Sequence, residues 1–317
     1  MDAHNPPATA PSAPAQPTPT GPLLAIQNDG GAREFLNEYH WPYSLQDALL
    51  RDIVKVPLRF FICDDSGSMS ANDGKRLVNV GGTTKFAPCS RWAELTTALK
   101  FHAGLAHHGL IPTEFRLLNA AAPLRVGFSQ AESAANVTRL TSIFEDSPSG
   151  GTPLCSHIRE IIQQIQQIAP TLRQHNQRAC IIIATDGESS DGDVAEALRP
   201  LKDLPAWVVV RLCTDDEKVV DYWNNIDNVL ELNVDVLDDL AGEANEVHKN
   251  NPWLTYAEPL HRMREFGVSS KEFDLLDEKL LPPEHMRKIA TSFLGDAVNA
   301  LPLPEVDMKG FIRGIEK

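Results

Sequence analysis

Short unbroken apolar runs alternate along this chain with stretches in which apolar residues recur every three or four positions. Arg59 to Asp64, carrying Phe60, Phe61, Ile62 and Cys63, is such a run and predicts a strand buried on both faces. Ser90 to His108 follows with Trp92, Leu95, Leu99, Ala103 and Ala106 on one face of a predicted helix. Glu114 to Asn119 reads as a second strand and Leu124 to Phe128 as a short third one. Ser129 and Glu132 have the spacing of a capping box, which predicts a helix ending near Phe144. Leu154, Ile158, Ile161, Ile162, Ile165 and Ile168 line one side of a further helix whose opposite side is rich in Gln. Cys180 to Thr185, Trp207 to Leu212 and Val229 to Val234 complete the set as the fourth, fifth and last strands. The alternation predicts an α/β fold, a doubly wound, mostly parallel six-stranded sheet flanked by helices.

The flanks differ in character. Residues 1–22 are dominated by Pro, Ala and Thr with no apolar periodicity, the composition of a disordered spacer. Within residues 23–56, Leu45, Ala48, Leu49 and Ile53 recur at helical spacing from Ser44 until Pro57 stops them, giving a helical lead-in that covers one edge of the sheet. Residues 57–250 form the main domain, and 251–317 a helical C-terminal extension expected to pack back onto it. Its three helical pieces are marked by Tyr256, Leu260 and Met263, by Phe273, Leu275 and Leu276, and by Met286, Ile289, Ala290 and Phe293. Pro282-Pro283 starts the last piece and Gly295 stops it. Inside the main domain, Lys75 to Val80 and Thr83 to Phe86 flank Gly81-Gly82, a hairpin signal. Lys75, Arg76 and Lys85 would place positive charge on this hairpin, beside the loop that follows the first strand.

Charge and cysteine usage narrow the function classes. A net charge of −14 without a Lys/Arg cluster argues against a nucleic-acid backbone as partner. No apolar span of about 20 residues is present, so a membrane partner is not expected either. The five cysteines, Cys63, Cys89, Cys155, Cys180 and Cys213, show no paired metal-ligand spacing, and three fall in predicted strands. A reducing, cytoplasmic location fits them.

The candidate chemistry sits where two strands end. Asp64-Asp65-Ser66-Gly67-Ser68 follows the first strand, and Asp186-Gly187 closes Ile181-Ile182-Ile183-Ala184-Thr185. Gly150-Gly151-Thr152-Pro153 supplies another hydroxyl. Short carboxylate and hydroxyl side chains suit a hard ion such as Mg²⁺ or Mn²⁺, whereas zinc takes Cys and His. With two carboxylates among five donors, such an ion keeps much of its charge and can accept a further anion. Asp65 and Glu188 lie beside these positions as loop acids.

Asp64-x-Ser66-x-Ser68, then Thr152, then Asp186 in a Thr-Asp-Gly turn resembles the complete metal-ion-dependent adhesion site of von Willebrand factor A domains. The resemblance spans roughly Pro57 to Asn250 and includes Ser90-Arg91-Trp92-Ala93-Glu94-Leu95 at the opening of the first helix. It implies that Ser66, Ser68 and Thr152 bind Mg²⁺ directly, that Asp64 and Asp186 act largely through water, and that a partner's Glu or Asp completes the octahedron. It also implies the strand order 3-2-1-4-5-6, which places Asp64 and Asp186 at the switch point where open α/β sheets bind ligands. The expected function is Mg²⁺-dependent protein binding without catalysis. Two alternatives stand beside it: a Mg²⁺-dependent phosphohydrolase, disfavoured because Ser66 stands where such enzymes carry an Asp acid/base, and a scaffold whose metal only stabilises its loops.

Overall fold

The computed structural model describes residues 21–214, 216–230, 234–268 and 270–317. All of the Pro-rich tail except Gly21 and Pro22 lies outside these residues. The strands are β1 (Leu58–Cys63), β2 (Gly74–Val80), β3 (Thr83–Cys89), β4 (Thr113–Leu117), β5 (Leu124–Val126), β6 (Ala179–Thr185), β7 (Ala206–Leu212) and β8 (Val234–Leu237). The main sheet runs β5-β4-β1-β6-β7-β8, parallel throughout except for antiparallel β5. Counted along the sheet strands alone, this is the order 3-2-1-4-5-6. The last strand was expected over Val229 to Val234; it begins at Val234, and Val229 and Leu230 belong to the preceding helix. A short apolar run is compatible with either state, and helical periodicity from Val219 and Trp223 carries through it.

The helices are α1 (Asp29–Glu38), α2 (Tyr43–Ile53), α3 (Arg91–Gly109), α4 (Gln130–Ile143), α5 (Leu154–Gln174), α6 (Val194–Leu198), α7 (Glu217–Leu230), α8 (Leu240–Asn250), α9 (Glu258–Glu265), α10 (Lys271–Glu278), α11 (Pro283–Leu294) and α12 (Met308–Ile315). Because both faces of β1 are covered, its successive side chains enter two cores. Phe60 and Ile62 pack with Ile158, Ile161 and Ile165 of α5, while Phe61 and Cys63 pack with Leu95 and Leu99 of α3. The expected capping box does not form: Ser129 stands at the N-cap of α4 without a side-chain bond, and Ser133, one turn on, takes the Gly127 amide at 3.0 Å instead.

The C-terminal extension belongs to the second of these cores. Leu260, Met263, Phe266, Ile289 and Phe311 are buried together with Phe61 and Leu99. Helix α3 is consequently buried on more than the one apolar face expected of it, and its polar residues Glu94 and His102 are 7% and 1% exposed. Glu94 is accommodated by charge pairing and His102 by a hydrogen bond to a buried carboxylate. Arg211 of β7 binds Glu94 and, at 3.3 Å, Glu265 of α9; Glu265 also accepts from Arg262 at 2.7 Å and meets His102 at 3.0 Å. A second buried group joins Arg264 to Glu243 at 2.5 Å, Asp235 at 3.2 Å and Asp277 at 3.3 Å.

The hairpin forms as expected. β2 and β3 pair around Gly81 and Gly82, whose φ angles of 62° and 81° are those of a tight hairpin turn. Lys75 does not face the loops beyond β1: its Nζ lies 3.6 Å from Asp239 and its amide donates to Glu94. Strand alternation puts Arg76 and Lys85 on the opposite face.

Candidate metal centre

β1 and β6 lie side by side, so the residues that follow them emerge together. The Asp64 amide donates to Ala184 O at 2.9 Å, extending the ladder one step past the strand. Asp64 is fully buried, and both of its carboxylate oxygens are used: Oδ1 accepts from the Ser66 amide at 2.9 Å and Oδ2 from Thr185 Oγ1 at 2.6 Å. These two bonds fold the Ser66-Gly67-Ser68 loop back over the strand end. Ser66 Oγ and Ser68 Oγ are then 3.0 Å apart, and Ser68 Oγ donates to Asp186 Oδ1 at 2.9 Å. Four of the five expected site residues thus converge in one chain of contacts.

Thr152 arrives on a neighbouring loop. Gly67 N donates to Gly150 O at 3.3 Å, and Ser149 N to Asp65 O at 2.7 Å. The Thr152 backbone is clamped at both ends by Ser190, its amide donating to Ser190 Oγ at 3.1 Å and its carbonyl accepting from Ser190 N at 2.8 Å. Its own hydroxyl has no hydrogen-bond partner among the described residues, and it is not joined to the Ser66, Ser68 and Asp186 chain. Gly150 is required here: at φ 104° an added Cβ would meet Asn119 Oδ1 at 2.3 Å.

Three contacts around these residues are not legible in the motif. Arg91, at the first turn of α3, donates to Asp186 Oδ2 at 2.8 Å while holding Asp73 through Nε at 2.8 Å and Nη2 at 2.5 Å. Asp65 is a brace rather than a loose loop acid, accepting from Asn119 N at 3.0 Å and Asn119 Nδ2 at 2.8 Å; Asn119 Nδ2 also donates to Gly151 O at 3.0 Å. Asp191 accepts from the Cys155 and Ser156 amides, both at 2.9 Å, so it caps α5 from across the site where Pro153 offers no side-chain cap. Asp191 follows two serines, a turn composition, and that was its one sequence signal.

The electrostatics follow from burial and bonding. Burial raises the Asp64 pKa, against the lowering effect of its bonds to Ser66 and Thr185, and the nearby Asp186 charge adds to the rise. Arg91 is held more firmly protonated than usual, first by its bonds to Asp73 and then by those to Asp186, against partial burial. Burial raises the Asp191 pKa too, but bonds from Ser189 and the two helix amides outweigh it and hold the carboxyl at about 2.

The donor set suits a small hard ion. On an octahedral Mg²⁺ with oxygen distances of about 2.1 Å, neighbouring ligands lie roughly 3 Å apart; the Ser66 and Ser68 hydroxyl oxygens are already 3.0 Å apart. No group of three or more His, Cys, Asp or Glu side chains arranged to hold a metal ion occurs among the described residues. The site described here differs from such groups in that its donors are mainly hydroxyls. No family model matches the chain, and no curated protein matches it.

Proposed function

We propose that the chain is a Mg²⁺- or Mn²⁺-dependent protein-binding protein, built like a von Willebrand factor A domain with a metal-ion-dependent adhesion site. The observation that carries this reading is the pair of hydroxyl oxygens Ser66 Oγ and Ser68 Oγ 3.0 Å apart, backed by Asp186 Oδ1 2.9 Å from Ser68 Oγ, at the switch point between β1 and β6. Ser66 and Ser68, with Thr152 from the adjoining loop, would hold the ion, and Asp64 and Asp186 would stand behind them. A bound ion supplies an electrophilic centre for the carboxylate of a partner's Glu or Asp. Asp64 fixes the loop that aims both serines, Thr185 fixes Asp64, and Ser190 fixes Thr152. Because Arg91 spreads the charge of Asp186, the donor set offers less than two full negative charges, which leaves room for an incoming carboxylate.

A binding role is favoured over phosphoryl transfer because Ser66 stands two residues after Asp64, where such enzymes carry their acid/base carboxylate, and a serine hydroxyl cannot do that work near neutral pH. Direct bonds between the loops, such as Gly67 N to Gly150 O, hold them without an ion, which weighs against a purely structural metal. Among the described residues no helix is long and apolar enough to cross a membrane, and all five cysteines are free thiols, which suits the reducing cytoplasm. The test is calorimetric titration of Mg²⁺ and Mn²⁺ into wild type and a Ser66→Ala/Ser68→Ala variant, with and without acetate. Binding that is lost in the variant and tightened by acetate supports the proposal. A wild type that takes up neither ion overturns it.

A further inference from the structure

At the opposite end of the sheet from Asp64, three side chains stand in a row on one face where the strands begin. Arg59 of β1 pairs in register with Cys180 of β6, and Cys180 with Trp207 of β7. Residues in register on parallel strands point the same way. Arg59 is fully buried. A buried guanidinium is ordinarily paired with a carboxylate, and Arg59 has none among the described residues. Its Nε donates to Phe266 O at 2.8 Å, its Nη1 to Val56 O at 2.7 Å, and its carbon lies 4.4 Å above the Phe266 ring. Its Nη2 is buried with no hydrogen-bond partner.

The groups around this guanidinium border a pocket of about 240 Å³ lined by Asp52, Lys55, Val56, Asn176, Arg178, Trp207 and Gly267. Val56 and the Phe266-Gly267 segment are the same pieces of backbone that hold Arg59. Gly267, at φ 82°, passes so close to Cys180 that a Cβ would lie 2.5 Å from its Sγ, so only glycine lets the chain close this wall. At the mouth, Lys55 is paired with Asp52 at 2.9 Å, while Arg178 is exposed, with its amide tied to Lys55 O at 2.9 Å. In a chain of net charge −14 the pocket is a local excess of positive charge, with a buried cation behind it.

We propose that this pocket is a site for a small organic anion, its carboxylate or phosphate group held by Arg178 and drawn by the Arg59 charge, and its flat apolar body set against Trp207 and Val56. The size agrees with that class, since a cavity of about 150 Å³ already accepts benzene. Arginine is the side chain best shaped to grip either head group. Desolvation lowers the Arg59 pKa to about 10, the direction expected of a cation lacking a counter-ion. This proposal is independent of the metal reading.

The test uses the full chain, with benzoate, phenyl phosphate, acetate and inorganic phosphate as probes at matched ionic strength in sodium chloride, read by calorimetry and thermal melting. Arg178→Ala is compared with Arg139→Ala, a substitution of an equally exposed arginine on α4 that keeps the net charge the same. The expected result is that benzoate or phenyl phosphate binds and raises the melting temperature, that Arg178→Ala weakens it about tenfold or more, as loss of one charge-assisted contact does, and that Arg139→Ala leaves it unchanged. Benzoate binding alone identifies a carboxylate as the head group, and phenyl phosphate binding alone a phosphate. Absence of binding by both aryl anions overturns the proposal, as does an equal response of the two variants. Acetate and inorganic phosphate matching their aryl counterparts would overturn the seat on Trp207.

Discussion

Arg91 Nη1 lies 2.8 Å from Asp186 Oδ2, and the Asp186 side chain is only 2% exposed. One oxygen of this carboxylate therefore faces a guanidinium while the other faces the serines. Arg91→Gln would leave Asp186 buried with half its partners gone, at a cost of about 1–3 kcal/mol. On the metal proposal, a cation added to that variant replaces the missing positive charge. Thermal melts with and without Mg²⁺ should show a larger Mg²⁺-induced rise in Arg91→Gln than in wild type; an equal rise would separate Arg91 from the ion.

Asp65→Ala is expected to do more than remove a surface charge. It deletes the acceptor for Asn119 N and Nδ2, and Asn119 in turn holds Gly151 O, one residue before Thr152. Loss of these bonds should lower stability by about 1–2 kcal/mol, measured by urea unfolding, and weaken metal uptake less than Ser66→Ala/Ser68→Ala does.

Glu243 gives the chain a pH dependence of definite sign. Burial raises its pKa to about 8, against the Arg264 charge, with Asp277 and Asp235 adding to the rise. Unfolded, it would titrate near 4.3. Between those values the folded chain holds a proton that the unfolded chain has released, so this contribution to stability is complete below about pH 4 and fades as pH rises through about 8. Urea unfolding across roughly pH 5 to 9 should show a decline that Glu243→Gln flattens, because glutamine stays neutral throughout.

Glu265 holds two arginines and two histidines at once. Its two oxygens receive Arg211, Arg262 and His102, with His261 at 3.3 Å. Glu265→Ala would leave Arg211 with Glu94 and Arg262 with Glu258 but take one buried carboxylate from each, and removing one partner of a buried ion pair costs about 3–5 kcal/mol. The expected outcome is a large fall in the urea midpoint. A change under about 1 kcal/mol would show that Glu94 and Glu258 suffice for the two arginines.

What could be read from the sequence is what depends on neighbours along the chain. Strand and helix positions followed from apolar periodicity, the hairpin from Gly81-Gly82, and the strand-end cluster of Asp64, Ser66, Ser68 and Asp186 from turn chemistry placed after two apolar runs. What escaped depends on distant partners. Glu94 and Arg211 are 117 positions apart and His102 and Glu265 are 163 apart, and nothing local marks a charged residue as buried. Helix α1 was missed because Ala32, Phe35 and Leu36 make too short an apolar stripe to stand out. Ser129 shows the opposite failure, since its spacing promised a cap that Ser133 made unnecessary.

Phe266 and its neighbours on α9 complete the packing over Phe61, in the first strand of the chain. A ribosome that has just released Asn250 therefore carries a sheet whose α3-side core still lacks Leu260, Met263 and Phe266, and with Arg211 still waiting for Glu265. The order of synthesis leaves the closure of this core to the segment that follows Asn250, so the nascent chain must be shielded, or must wait, until that segment emerges.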